Sequence, residues 1–151
     1  MLPKYPNLYF LCAGKGDIAP LQHSRWIELG FISNTAELLH QSDLYVLPNR
    51  ETYFDLIALE VMRSSTPILL AENGGNRYFL SLASQECGGV FYFSVDEVNT
   101  LCGLVEEMIS IKQSNPLEYS KKGQMNRALY EKYFSMHTYI RNYLITTGSI
   151  A

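Results

Sequence analysis

The feature that most constrains this chain is a repeated alternation. Short apolar runs of five or six residues are each followed by a segment with helical spacing or by a glycine-rich turn. The runs at residues 8–13, 26–31, 43–47, 67–71 and 89–93 read as strands. Residues 34–41 read as a helix, with Ser33 as its N-cap and Glu37 in its first turn. From about residue 54 to 63, Leu56, Leu59 and Met62 recur at spacing three and Ile57 and Val61 at spacing four, as in a helix lying on a sheet. Pro67 stands first in its strand, where a missing N–H is tolerated. Residues 76–84 read as helical. A helix capped by Ser94 or Asp96 runs to about Lys112, another opens at Pro116, and a last one follows Ser135 before a frayed tail at 147–149.

Strands alternating with helices imply βαβ units, parallel pairing and right-handed crossovers. The expected fold is α/β: a three-layer, Rossmann-like parallel sheet of about five strands with helices on both faces, plus C-terminal helices. Those last helices pack on the sheet edge or reach toward a partner domain. At 151 residues the chain reads as one domain, residues 1–151.

Composition narrows the partners. The net charge is −3 and the charges are dispersed, so no nucleic-acid footprint is present. No apolar run approaches about 18 residues, so no membrane span is expected, and the N-terminus lacks a signal-peptide core. Peripheral membrane association stays open. Cys12, Cys87 and Cys102 lack metal-ligand spacing and read as reduced packing residues, with Cys12 in a buried strand, which suits a cytoplasmic protein. His23, His40 and His137 lie far apart and read as surface or capping residues, and Trp26 reads as core. No Ser-His-Asp or Cys-His arrangement is visible, and no metal site is expected.

In an open parallel sheet, ligands bind beyond the carboxyl ends of the strands. Those ends carry Gly14-Lys15-Gly16-Asp17, Phe31-Ile32-Ser33, Pro48-Asn49-Arg50-Glu51-Thr52 and Glu72-Asn73-Gly74-Gly75-Asn76. Gly14-x-Gly16 alone is a weak signal, since a tight turn accounts for both glycines, and Lys15 faces either phosphate or solvent. Gly74-Gly75 precedes a helix beginning near Asn76. Its backbone N–H groups could hold an anion, or the turn is a plain helix entry capped by Asn73 or Asn76. Glu60 is the sharpest single residue. Apolar neighbours flank it, and a semi-buried carboxylate needs donors: the two hydroxyls of a ribose, or a local salt bridge to Arg63, or a contact with Arg77.

Residues 7 to 135 resemble the C-terminal, donor-binding domain of a GT-B fold retaining glycosyltransferase of the group-1, or family-4, type. That family's motif is a glutamate, then Gly-Phe-Gly, then an apolar run ending in Glu-Ala-Met, a small residue, Gly and x-Pro-Val. Here Phe54-Asp55-Leu56-Ile57-Ala58-Leu59-Glu60-Val61-Met62 covers the core, Ser64-Ser65-Thr66-Pro67-Ile68 the turn and strand, and Gly74-Gly75 the downstream glycine pair. Leu11-Cys12-Ala13-Gly14-Lys15-Gly16, Leu29-Gly30-Phe31-Ile32 and residues 43–48 resemble three further segments, in order.

The resemblance implies that Glu60 holds the ribose hydroxyls and that the loop from Thr52 through Tyr53 and Phe54 to Asp55 meets the hexose and diphosphate. It places Gly74, Gly75, Gly14 and Lys15 near phosphate or sugar, and Phe31 and Ile32 beside the base. The catalytic glutamate of the motif aligns with Thr52, with Glu51 one residue early. Tyr53 and Asp55 stand at the two glycines, and Ser65 at the glycine before Thr-Pro. The implied partner is a nucleotide-sugar donor, with no metal or other cofactor, because protein donors stabilise the leaving diphosphate. The resemblance further implies a missing N-terminal acceptor-binding domain and a missing first βα unit, and a cytoplasmic enzyme or one at the inner face of the membrane. Two other readings stay open: an epimerase or phosphorylase-like enzyme of the same architecture, and a non-catalytic α/β interaction module, suggested by eleven tyrosines and seven phenylalanines.

Overall fold

The computed structural model describes residues 1–16, 19–80, 82 and 88–148. It contains the strands β1 (Phe10–Ala13), β2 (Trp26–Gly30), β3 (Tyr45–Leu47), β4 (Ile68–Ala71) and β5 (Val90–Phe93). Its helices are α1 (Thr35–Gln41), α2 (Leu56–Arg63), α3 (Val98–Ser114), α4 (Pro116–Tyr133) and α5 (Met136–Thr146), and a 3-10 turn spans Gly74–Arg77. The expected α/β architecture with parallel strands is present. The five strands do not form one sheet, however. β1 and β2 make a two-stranded parallel pair, and β3-β4-β5 a three-stranded parallel sheet in that order. Strand patterning identifies which residues extend, but carries no information on which edges meet. The contacts likewise divide the chain into two compact units, Met1–Thr35 and Ala36–Ala151.

In the first unit, the Arg25 guanidinium organises the N-terminal segment. It donates to the carbonyls of Leu2 (2.5 Å), Leu8 (3.2 Å) and Tyr5. Trp26 is half-buried, not core, and its ring packs on Phe10 with centroids 5.4 Å apart. β1 is not the buried strand expected from its sequence: Leu11 and Ala13 are exposed, and Cys12 is half-buried. Burial, then the charge and hydrogen bond of Glu28, push the Cys12 thiol up.

In the second unit β4 is central. Ile68, Leu69, Leu70 and Ala71 are all buried, which suits a continuous apolar run flanked by parallel neighbours. Each of the three larger side chains, Ile68, Leu69 and Leu70, contributes about 1.5–3 kcal/mol relative to exposure. Helix α2 buries Ala58, Val61 and Met62, one stripe at spacing three and four, against this core. Helix α4 is bound to the α2–β4 turn by two close features. A Cβ on Gly123 would lie 1.9 Å from the Ser65 carbonyl oxygen, so only glycine fits that approach. Asn126 is buried and its Nδ2 donates to the carbonyls of Thr66 and Gly89, each at 2.9 Å.

Helix starts follow local chemistry. Asn115 accepts from the Glu118 N–H and donates to its carboxylate, both at 3.2 Å, in front of Pro116. Ser135 accepts from Thr138 N–H at 3.2 Å, as its position predicts. Neither Ser94 nor Asp96 caps α3: the N-cap is Glu97, with no side-chain capping bond, and Ser94 instead accepts from Asp96 N–H at 3.4 Å. α1 begins at Thr35, one residue later than expected. The expected helix at 76–84 is described as far as the 3-10 turn, residues 78–80 and residue 82. Its remainder, with Cys87 and Asp17, lies outside the described residues.

Candidate donor site

The site residues of the second unit stand where β3 and β4 end. Beyond β3, residues 48–55 form a loop that enters α2 with Asp55 in extended conformation as N-cap. Beyond β4, Asn73 is extended and Gly74 begins the 3-10 turn with φ +43°. The two segments lie backbone on backbone. A Cβ on Gly74 would lie 1.7 Å from the Thr52 carbonyl oxygen, and one on Gly75 would lie 1.4 Å from that of Tyr53. The Gly75 N–H donates to Thr52 O at 3.3 Å. The glycine pair is therefore required by loop-to-turn packing. The Gly75 N–H already has its acceptor in that packing, and the 3-10 turn runs directly on into helical residues 78–80.

The loop is held from its flanks. Asn73 Nδ2 donates to the carbonyls of Asn49 (2.5 Å) and Arg50 (2.8 Å), and Asn49 Nδ2 donates to Asp55 Oδ2 (3.1 Å). Asn73, expected as a helix cap, makes no capping bond. Asn76 is fully buried and donates to Ala71 O at 3.2 Å. Sequence reasoning set Asn49 on the rim without giving it a role, and a loop asparagine has no pattern that announces its partner.

One expectation needs correction. Glu60 is exposed, not semi-buried. It shares an open face of α2 with Arg63 and with Leu56, which is 69% exposed, while the buried stripe runs along Ala58, Val61 and Met62. Apolar neighbours in sequence suggested cover that this face does not have. Phe54 is half-buried, and its ring joins an aromatic cluster with Phe79 (5.3 Å), Tyr78 (6.2 Å) and Phe134 (6.4 Å). Tyr53, by contrast, is 97% exposed, Glu51 is exposed, and Thr52 is half-buried on the glycine turn. Asp55 and Glu60 both bear on Tyr45, whose phenol is pushed up first by burial and then by those two carboxylates.

Beside the loop, at the ends of β4 and β5, a cleft of about 320 Å³ is lined by Arg50, Glu72, Asn73, Arg77 and Asp96 among others. Arg50 pairs with Asp96 at 3.5 Å, both well exposed. The cleft takes in the rim residues Arg50, Glu72 and Asn73, while Glu60, Thr52 and the glycine pair lie outside its lining. In the first unit, Gly14 and Gly30 close the strand ends with positive φ, and Gly14 N–H donates to Gly30 O at 2.6 Å. Lys15 is exposed, Phe31 is 92% exposed, and Ile32 is half-buried. Among the described residues, no group of three or more His, Cys, Asp or Glu could hold a metal ion.

A parallel βα unit with a polar loop and a glycine turn at the strand carboxyl ends is the arrangement of a Rossmann-like fold, whose ligand rim is at those ends. The family described as glycosyl transferases group 1 matches residues 2–110, and the chain belongs to it. No curated protein matches the sequence. Among solved structures, the fold is similar to Anabaena Alr3699/HepE in complex with UDP, with 19% identity and a TM-score of 0.70 over 83% of this chain. It is also similar to the same protein in complex with UDP-glucose, with 20% identity and a TM-score of 0.66 over 85% of this chain. The chain spans about a third of the length of those structures, 33% in each case.

Proposed function

We propose that this chain is the donor-binding portion of a glycosyltransferase. The full enzyme transfers a hexose from a nucleotide-diphosphate sugar to a glycan or lipid-linked acceptor, with retention, in polysaccharide or cell-surface glycan synthesis. The observation that carries the reading is the family match over residues 2–110, which takes in the loop at 48–55 and the glycine turn packed on it. Similarity to a protein solved with UDP and with UDP-glucose supports a nucleotide-sugar donor. In this reading Glu60, on the open face of α2, receives the ribose hydroxyls, and exposure leaves its carboxylate accessible to them. Thr52, Glu51 and Tyr53 meet the hexose end. Thr52 brings a hydroxyl where the family has a carboxylate, so it can orient the sugar but cannot stabilise a developing positive charge as a glutamate would.

The full enzyme works in the cytoplasm or at the inner face of the membrane, without a metal and together with an acceptor-binding domain. Replacing Glu60 by Ala in the full enzyme is expected to cost about 2–4 kcal/mol of transition-state binding. Initial transfer rates at low donor concentration measure it, and an unchanged rate removes Glu60 from the site. On the present chain, amide shifts around Glu60 during titration with UDP are the direct test. No movement at millimolar UDP would favour a non-catalytic module. One observation gives that second reading content: Met136, Tyr139, Ile140 and Tyr143, spaced along one face of α5, are all exposed.

A further inference from the structure

We propose that Asn73 is a positioning residue for the loop at 48–55: its carboxamide sets where Thr52 and Tyr53 stand, and through them the hexose end of the donor site. The proposal rests on the donor-binding reading above.

Asn73 lies two residues beyond β4, whose four residues are all buried, so its stem is anchored to the buried centre of the sheet. From there both N–H bonds of one amide are used on consecutive carbonyls of another loop, Asn49 O at 2.5 Å and Arg50 O at 2.8 Å. A primary amide on a short stem supplies two donors, an aspartate of the same shape supplies none, and a glutamine reaches one methylene too far. The orientation of the amide is settled by its surroundings. Oδ1 is buried without a partner, yet the reverse orientation would set it against two carbonyl oxygens and strand the NH2 instead.

The next two holds follow along the loop. Thr52 O accepts from Gly75 N–H at 3.3 Å, and Asp55 is tied to Asn49 at 3.1 Å. The backbone is thus fixed at its start, middle and end, while Glu51 and Tyr53 project outward. Asn73 and the glycine pair are adjacent in sequence, so a single turn after β4 delivers two of the three holds. Asp55, where the glycosyltransferase motif has glycine, is on this account the third hold and not a ligand contact.

The test uses Asn73→Ala, which removes both donors without adding charge, and Asn73→Asp, which keeps the shape. Hydrogen–deuterium exchange of the unliganded chain is expected to speed up about tenfold across residues 49–53 in both, with β4 and β5 unchanged. Binding of UDP-glucose to Asn73→Ala is expected to weaken about tenfold while UDP alone stays within about twofold, since preorganisation is lost only at the hexose end. Should either variant fail to fold, Asn73→Gln, which carries both donors one methylene further out, is read in the same way: faster exchange across residues 49–53 supports the clasp, and wild-type exchange there overturns it. Unchanged loop exchange, or exchange raised equally in β4 and β5, overturns the proposal, as does equal loss for UDP and UDP-glucose. A wild-type chain that binds neither probe overturns the donor reading. The exchange result then upholds or overturns the clasp by itself.

Discussion

Ser65 is a non-glycine residue with positive φ, +60°, and it occupies the position where the family has glycine before Thr-Pro. A left-handed backbone brings Cβ toward the following carbonyl and costs an L-residue about 1–2 kcal/mol. Part of that would be returned to the unfolded chain by a more flexible residue. Ser65→Gly is therefore expected to raise stability by about 0.5–1 kcal/mol, read from urea midpoints. A lower midpoint would mean that the serine hydroxyl contributes more than its conformation costs. The same carbonyl against which Gly123 packs belongs to Ser65. The strained turn and the close helix approach are thus one local solution, and the gain depends on the turn keeping its shape.

Among the elements, α4 is the one that holds β4, β5 and α2 in a fixed relation. Asn126 ties it to the residues just before β4 and β5, and Arg127 donates to the last carbonyl of α2, Arg63 O, at 2.5 Å. A cation at the carbonyl end of a helix meets both the unpaired acceptor and the negative end of the helix dipole. Asn126→Ala is expected to destabilise the chain by about 1–3 kcal/mol, because two buried bonds are lost and the Thr66 carbonyl is left without that donor. Thermal unfolding followed by far-ultraviolet circular dichroism measures it, and no shift in midpoint would contradict the accounting. The junction of α4 and α5 reaches the loop as well: Phe134 stands 5.7 Å from Phe79 and 6.4 Å from Phe54. A helix reader sees Phe54 as the first residue of α2, yet the ring works as part of a cluster drawn from three separate segments.

At the scale of the whole molecule, two phenols give stability a pH limit. Burial pushes Tyr119 up, with the Asp43 charge adding to it, and burial, then Asp55 and Glu60, push Tyr45 up. Both have an ordinary value of 10.0. Above it the unfolded chain releases these protons while the folded chain retains them. Their contribution is therefore complete below about pH 10 and lost as pH rises from there. Urea midpoints between about pH 8 and 11 should fall, and Tyr45→Phe should fall less steeply; parallel curves would count against Tyr45.

Much of this architecture is legible in the chain itself: the order of strands and helices, the rim on which they end, the glycine pair and the proline-led β4 all follow from spacing and turn chemistry. Partnership is not legible. The period that marks Ala58, Val61 and Met62 as one face of α2 does not say that the face carrying Leu56 and Glu60 stays open. Nothing in Asn49 or Asn73 tells a reader that each spends its amide on a loop.

The packing of Gly74 and Gly75 against the Thr52 and Tyr53 carbonyls also decides what an exchange of the loop has to carry with it. A loop transplanted from a relative at residues 48–55 would arrive with its own carbonyl positions and meet a turn shaped for another. The two stretches are separated by a helix and a strand, but they pack as one unit, and a grafted loop is expected to keep its own shape only when both are exchanged together.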